Sequence, residues 1–225
     1  MAEIIFEDWG TIHYAEALKK QEMLFTKALE DKRSGKEVSN RIIFCEHPHV
    51  LTLGKHADRQ NILFSGTLLS EKGVSVFQTD RGGDVTYHGP GQLVVYPILD
   101  LELFRMGLKQ YISCMEDIII ELLKNKYGIS SEKLSGAAGI WLDTEKPSST
   151  RKICAIGVKS SRYVTMHGLA LNVNTDLNYY SLINPCGFVD KGVTSIANEL
   201  NNTPQDIDLC KKYFREISQR SFLPT

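Results

Sequence analysis

The sequence has almost no net charge and no long apolar run. Its 225 residues include 26 basic and 27 acidic side chains, which gives a formal net charge of −1. Whole-molecule electrostatics therefore give no reason to expect nucleic acid or an anionic membrane as a partner. No apolar run approaches the roughly 20 residues of a membrane span, and the first residues lack the basic and apolar regions of a signal peptide. We expect a cytoplasmic protein.

The sequence also lacks the spacings of a metal site or a disulfide framework. Its five cysteines form no CxxC pair, and an odd number of scattered cysteines is typical of thiols in a reducing compartment. His47 and His49 are spaced as two ligands could be, but no third ligand stands beside them, and two are too few for zinc. We predict no metal, and we interpret both histidines as loop residues near the entrance of a site.

What the sequence does contain is a few long helices separated by runs of strands. The helical periodicity of apolar residues predicts helices over 14–33, 108–127 and 206–220. Strand-like runs occur at 41–46, 50–53, 74–79, 93–99, 137–142, 152–159 and 163–173, the last interrupted at His167-Gly168. This order favours an α/β (α+β) fold, a mixed β-sheet with flanking helices, in one domain over 1–225.

The most informative segment is rich in glycine and lies between two strand-like runs. It reads RGGDVTYHGPGQ, from Arg81 to Gln92. A P-loop and a dinucleotide-binding fingerprint both need a helix after the glycines, so neither fits. The glycines could serve only the turns of a hairpin, but the polar side chains packed among them favour a wall that a ligand contacts.

Cys186 differs from the other cysteines. It stands between Pro185 and Gly187, which predicts a tight turn that exposes the thiol, whereas the remaining cysteines lie in strand or helix patterns typical of buried packing. A thiol with a pKa of about 8.5 is only a few per cent thiolate at pH 7, so a nucleophile needs a nearby cation or base. The residues alone leave these candidates open: Lys152, Lys159, Arg162, Lys191, His88 and His167.

Two strand-like runs contain small residues. Ala155-Ile156-Gly157 and Gly168-Leu169-Ala170 leave room for something other than protein to lie against the sheet. Close packing of a strand on a helix would also explain them. The functional interpretation is a narrow apolar slot for an acyl chain.

Four motifs together resemble the octanoyltransferases, the lipoyl(octanoyl)-acyl-carrier-protein:protein transferase family that begins protein lipoylation. The motifs are the glycine-rich segment at 81–92, the run at 152–157, HGLALN at 167–172 and NPCG at 184–187. Their order and spacing agree with the family over nearly the whole chain. The resemblance implies the mixed-sheet catalytic domain shared with biotin and lipoate protein ligases.

The resemblance also implies which residues act. Cys186 would carry the acyl group as a thioester, and Lys152 would lower the pKa of its thiol. His88 and His167 would then have positioning or loop-ordering roles. No cofactor is implied, because the exchange of one thioester for another needs no ATP. Substrate contacts would come from Arg81, Gly82, Gly83, Asp84, Val85, Thr86, Tyr87, His88, Ala155, Ile156, Gly157, Gly168, Leu169 and Ala170.

The implied donor is octanoyl-acyl carrier protein, and the implied acceptors are the lipoyl domains of 2-oxoacid dehydrogenase E2 subunits and the glycine cleavage H protein. Arg162, Lys159 and Lys191 are candidate contacts for carboxylates of the carrier. Two alternatives stay open. One is an ATP-dependent lipoate or biotin protein ligase of the same fold, which needs no cysteine nucleophile, and the other is a non-catalytic acyl-binding module.

Overall fold

A computed structural model of the protein describes residues 3–184 and 191–222. Within them no helix is both long and apolar enough to span a bilayer. The strands are β1 (Ile4–Thr11), β2 (Asn40–Glu46), β3 (Val50–Leu53), β4 (Ser75–Gln78), β5 (Val85–His88), β6 (Gln92–Ile98), β7 (Glu132–Leu134), β8 (Ala137–Leu142), β9 (Arg151–Ser161), β10 (Val164–Asn172) and β11 (Gly192–Val193). The α-helices are α1 (Tyr14–Arg33), α2 (Gly66–Glu71), α3 (Leu108–Tyr127), α4 (Ile196–Glu199) and α5 (Ile207–Ser221).

Most of the strands form one large mixed sheet. Its order is β1-β2-β6-β10-β9-β8-β7, with β11 paired to the start of β9. β1 and β2 run parallel, and the pairs from β2 through to β7 are antiparallel. Helices α3 and α5 pack on one face, and α1 packs on the other. A mixed sheet with flanking helices confirms the predicted fold class.

Helix α3 illustrates how the sequence leads to this arrangement. Tyr111, Met115, Ile119 and Leu122 recur at helical spacing and are fully buried. Such a stripe can be removed from water only against another apolar surface, which here is the sheet. Gly128 ends the helix in the left-handed region, with φ 67. The predicted bounds 108–127 are confirmed.

A smaller sheet of order β4-β3-β5 stands beside the large one. Its core, shared with α2, includes Leu51, Leu53, Leu69 and Tyr87. β5 leads through a short turn at 89–91 into β6 of the large sheet. The chain therefore passes from the small sheet to the large one within the glycine-rich segment.

Three of the differences between the structure and the sequence-based predictions concern β5, β1 and β10. The glycine-rich segment, placed between two strand-like runs, contains a further strand, because 85–88 form β5. The half-exposed strand β1 was not predicted, since its burial does not alternate regularly. β10 is not interrupted at His167-Gly168, although His167 has φ 61, because pairing with β9 continues on both sides of it. One domain over 1–225 stays a prediction.

β9 receives different neighbours along its length. The pairing of β10 with β9 ends at Leu171 and Cys154, and β11 then pairs in parallel with the first two residues of β9. On the other edge, β9 carries an extra residue, Ile153, between its pairings with Ile140 and Trp141 of β8. Because such a bulge shifts the alternation of side chains by one, Lys152 shares a face of β9 with Ala155.

Candidate active site

A cavity of about 650 Å³ lies between the large sheet and the loop at 79–84. Its floor consists of β9 and β10, where small residues leave the space open. Most of the residues predicted to contact substrate, together with Lys152, line this one cavity. They are Arg81, Gly82, Gly83, Asp84, Val85, Thr86, His88, Lys152, Ala155, Ile156, Gly157, Gly168, Leu169 and Ala170.

Tyr87 is placed differently. It is fully buried in the core of the small sheet, and its hydroxyl lies 2.7 Å from Nδ1 of His49. The alternation of side chains along β5 explains this, because Thr86 and His88 on either side of it line the cavity. Tyr87 therefore supports the wall from behind, which corrects its predicted role as a substrate contact.

The loop and the floor approach each other closely at Gly157. A Cβ atom on Gly157 would lie 2.8 Å from the carbonyl oxygen of Gly82 and 3.2 Å from Cδ of Arg81. The N–H of Gly82 also donates to the carbonyl of Val158 over 2.9 Å. Only glycine leaves room for this contact. The small residues of β9 thus allow the loop to pack closely against the strand, and they also leave space for the cavity.

Arg81 holds the loop together from inside. Its guanidinium donates to the carbonyls of Thr52 at 2.7 Å, Asp84 at 2.8 Å and Gly82 at 3.0 Å. The residue is 8% exposed. A planar guanidinium can serve acceptors from several chain positions at once, whereas the ammonium of lysine offers only a point charge with three donors. Arg81 therefore determines the shape of this wall.

A buried chain of hydrogen bonds runs from this wall toward β10. Gln92 donates from Nε2 to the carbonyl of Tyr87 at 3.2 Å, so its Oε1 faces Nδ1 of His88 at 2.7 Å. Nδ1 of His88 therefore carries the proton, and Nε2 accepts from the hydroxyl of Thr52 at 3.3 Å. Burial lowers the pKa of His88 to about 3. A neutral His88 with both nitrogens engaged orders the wall and is unsuited to act as a general base.

His167 connects β10 to the start of the same loop. Its Nε2 lies 2.9 Å from one carboxylate oxygen of Asp80, and Nζ of Lys159 lies 2.5 Å from the other. Burial raises the pKa of Asp80, but hydrogen bonds from Lys159 and His167 outweigh burial and leave this pKa lowered. Burial lowers the pKa of His167 as well. The contacts are those of a residue that orders the loop.

Sequence reasoning missed an aromatic part of the wall. Tyr14 and Tyr96 line the cavity. Behind them, His47 donates from Nδ1 to the carbonyl of Ile12 and accepts at Nε2 from the hydroxyl of Tyr96, each over 2.7 Å. Burial lowers the pKa of His47 to about 4. His47 is fully buried, so its predicted place near an entrance is wrong. Tyr14 begins a helix and Tyr96 lies in an apolar strand, and neither belongs to a recognisable motif.

Lys152 stands at the start of β9, at the edge of the floor. Its ammonium lies 4.4 Å from the ring centroid of Trp141. Trp141 also lines the cavity, a role that the sequence analysis does not predict. An aromatic face at this distance attracts a cation. The backbone carbonyl of Lys152 accepts from the N–H of Thr194 at 2.9 Å. The predicted nucleophile, Cys186, lies outside the described residues, so its pairing with Lys152 stays a prediction.

The described cysteines are poor nucleophiles. Burial raises the pKa of Cys45 and of Cys154, and it raises the pKa of Cys114 and of Cys210 to about 11. A thiol with a raised pKa is protonated at pH 7 and reacts slowly. These cysteines contribute packing, as their strand and helix patterns predicted.

Comparison with known proteins identifies the family. The lipoyl protein ligase A/B catalytic domain matches residues 13–218. The chain belongs to this family. It is similar to an octanoyltransferase of Parabacteroides distasonis, 53% identical over 222 residues that cover 99% of this chain and 100% of the relative. An octanoyltransferase of Bacteroides fragilis is 50% identical over 213 residues, 95% of this chain and 96% of the relative. The resemblance to octanoyltransferases is confirmed.

A solved structure shares the fold of this family member. The chain is similar to the lipoate protein ligase of an archaeal lipoylation system from Thermoplasma acidophilum, with a TM-score of 0.71. The two are 14% identical, and the match covers 98% of this chain and 84% of the other. At this identity the likeness concerns the fold alone. It confirms the predicted ligase-like mixed sheet.

Proposed function

We propose that this family member transfers an octanoyl group from a carrier-bound thioester to a lysine of a lipoyl domain, with Cys186 carrying the group in between. The observation that carries the proposal is the 53% identity to an octanoyltransferase over 99% of this chain and 100% of that relative. The cavity supports it, since a floor of small residues with Lys152 at its edge suits an acyl chain whose carbonyl end meets a cation.

The first half-reaction exchanges one thioester for another. The thiolate of Cys186 attacks the donor carbonyl, a new sulfur–carbon bond forms, and the sulfur–carbon bond of the donor breaks. The ammonium of Lys152 stabilises the thiolate before attack and gives its proton to the departing carrier thiolate. Because the bond made and the bond broken are of the same kind, the step needs no ATP.

The second half-reaction forms an amide. The acceptor lysine has an ordinary pKa of about 10.4, so its ammonium must first release a proton to solvent. The resulting amine attacks the thioester on Cys186, its remaining surplus proton passes to the neutral amine of Lys152, and Cys186 leaves as a thiolate. The charged pair is thereby restored. Cys186 and Lys152 would titrate together and not with separate pKa values.

The proposed donor is octanoyl-acyl carrier protein, and the proposed acceptors are the lipoyl domains of 2-oxoacid dehydrogenase E2 subunits and the glycine cleavage H protein. Three basic residues were candidate contacts for the carrier. Lys191 lines the cavity, Lys159 is bound to Asp80, and Arg162 lies in the turn between β9 and β10. Lys191 is therefore the candidate that the cavity favours.

An ATP-dependent ligase is the main rival, because a ligase shares the fold. That likeness stands at 14% identity, whereas the octanoyltransferases are similar in sequence over nearly the whole chain. The two functions differ in chemistry: a ligase activates a free acid with ATP, and a transferase takes the acyl group from a thioester. A non-catalytic acyl-binding module would bind without any covalent adduct.

Intact-mass spectrometry separates these functions. We expect mixing with octanoyl-acyl carrier protein, without ATP, to add the mass of one octanoyl group that maps to Cys186. Cys186→Ala should abolish the adduct, and Cys114→Ala, at a half-buried cysteine, should keep it. Reversible binding without an adduct, or an adduct that appears only with ATP, would overturn the proposal.

A further inference from the structure

Asn172, the last residue of β10, makes more side-chain contacts than its motif explained. It is 3% exposed and lines the cavity. Its Oδ1 accepts from Nε2 of Gln92 at 2.9 Å and from the hydroxyl of Tyr180 at 3.1 Å. Its Nδ2 donates to the carbonyl of Thr194 at 2.9 Å. One buried side chain thus joins three separate parts of the chain.

The orientation of this amide follows from its neighbours. Gln92 turns Nε2 toward the carbonyl of Tyr87, so the group of Asn172 that faces Gln92 must be an acceptor. The other group of Asn172 faces the carbonyl of Thr194, which accepts only. Each donor in the chain from His88 through Gln92 to Asn172 therefore has one defined direction. A group held this way has few alternative positions.

Two of these partners lie on opposite sides of Cys186 in the sequence. Tyr180 belongs to the short helical turn at Leu177–Leu182, before the cysteine. Thr194 follows β11, after the cysteine, and its N–H donates to the carbonyl of Lys152. Asn172 therefore contacts the chain on both sides of the predicted nucleophile. One of those contacts is with Thr194, which is itself hydrogen-bonded to the backbone carbonyl of Lys152.

A second set of contacts secures Thr194. Its hydroxyl donates to Glu199 at 2.5 Å, and Glu199 accepts two hydrogen bonds of 2.7 Å from Arg151, the neighbour of Lys152. Thr194 itself is fully buried. Because the N–H and the hydroxyl of Thr194 are both held, its carbonyl gives Asn172 a stationary partner.

We propose that Asn172 is a positioning residue for the transfer: its side chain holds the segments before and after Cys186 in one arrangement relative to the strand that carries Lys152. The inference rests on the proposed function and goes beyond it, since a reaction between a thiolate and a thioester depends steeply on the placement of the sulfur. Asn172 touches no reacting atom in this proposal. It acts through Tyr180 and Thr194.

The test compares Asn172→Ala with Asn174→Ala. Asn174 makes two side-chain hydrogen bonds of 2.7 Å with the backbone of Gln205 and does not line the cavity, so it is a partly buried amide outside the site that serves as a control. With saturating octanoyl-acyl carrier protein, we expect Asn172→Ala to slow the acylation of Cys186 by about ten- to a hundred-fold. We expect the alkylation of Cys186 by iodoacetamide to need a higher pH in this variant than in the wild type. Asn174→Ala should lower stability and leave both properties at their wild-type values.

Tyr180→Phe is the milder variant, for the case that Asn172→Ala does not fold. It removes only the hydroxyl that bonds to Asn172 and Gln92, and we expect a change in the same direction of about three-fold. Wild-type rates and alkylation profiles in both variants, or equal losses in Asn174→Ala, would overturn the positioning role. Failure of the wild-type protein to form an octanoyl adduct would instead overturn the proposed function. The alkylation profile would still report on Asn172.

Discussion

The two sheets enclose one cavity but contribute opposite kinds of surface. The floor on the large sheet is made of residues with little or no side chain, such as Gly157, Gly168 and Ala170. The wall beside the small sheet is made of polar side chains that satisfy one another, with Arg81 and His88 at its centre. On the floor, small side chains leave space for a ligand. In the wall, hydrogen bonds among the polar side chains fix a defined shape.

Lys152 brings an ammonium to the edge of the floor, and its removal is expected to have the largest effect. We expect Lys152→Met to slow octanoyl transfer about a thousand-fold, because both proposed half-reactions pass a proton through this amine. The assay is transfer to a lipoyl domain at saturating donor. Lys146→Met, at an exposed lysine, should keep the wild-type rate. A loss of less than about ten-fold would remove Lys152 from its proposed role.

Filling the floor should cost stability rather than chemistry. A Cβ atom on Gly168 would lie 2.1 Å from the carbonyl oxygen of Val95 in the neighbouring strand, which cannot move without breaking the sheet. We expect Gly168→Ala to lower the free energy of unfolding by about 3 kcal/mol, as measured by urea denaturation. Gly66→Ala is the control, since nothing lies within 4 Å of its Cβ position. Equal stability of the two variants would contradict the close approach.

Weakening the wall should have a smaller effect on stability than filling the floor. Arg81→Lys keeps the positive charge but cannot reach the carbonyls of Thr52, Asp84 and Gly82 together. We expect a loss of about 2 kcal/mol in the free energy of unfolding and a higher KM for the donor. Arg33→Lys, at an exposed arginine, should change neither. An unchanged KM in Arg81→Lys would show that donor binding does not depend on the shape that Arg81 gives the wall.

The wall should also give stability a dependence on pH. Burial lowers the pKa of His88 to about 3, below the about 6.5 expected for an unfolded histidine. The unfolded chain therefore binds the extra proton first, so this contribution to stability is present above about pH 6.5 and is lost as pH falls toward 3. Replacing His88 by Gln should reduce the fall in unfolding free energy between pH 6 and pH 5 by about 1.2 kcal/mol.

His13→Gln, at an exposed histidine, is the control for that measurement and should keep the wild-type dependence. His47 is buried with a pKa lowered to about 4, so the single variant will retain part of the slope. The double variant His47→Gln/His88→Gln should retain less. An identical slope in wild type and His88→Gln would show that His88 is accessible to protons in the folded protein.

The reliable sequence predictions depend on local patterns. The helices α1 and α3 have the predicted bounds because an apolar stripe at helical spacing repeats over many residues and ends at a recognisable residue such as Gly128. The family was recognisable because the four motifs stand in the expected order. By contrast, the sequence does not reveal β5, because the glycines on both sides hide its four strand residues.

The sequence by itself determined the kind of fold, the family and the residue types offered to the site, because periodicity and motif order survive without knowledge of contacts. Only the tertiary structure decided which of those residues meet. Tyr87 turns away from the cavity through the alternation of β5, and Lys152 turns toward it through a bulge at Ile153. Asn172 gains its partners from chain segments that only the folded sheet brings together. Each of these depends on register between distant strands, which no local pattern encodes.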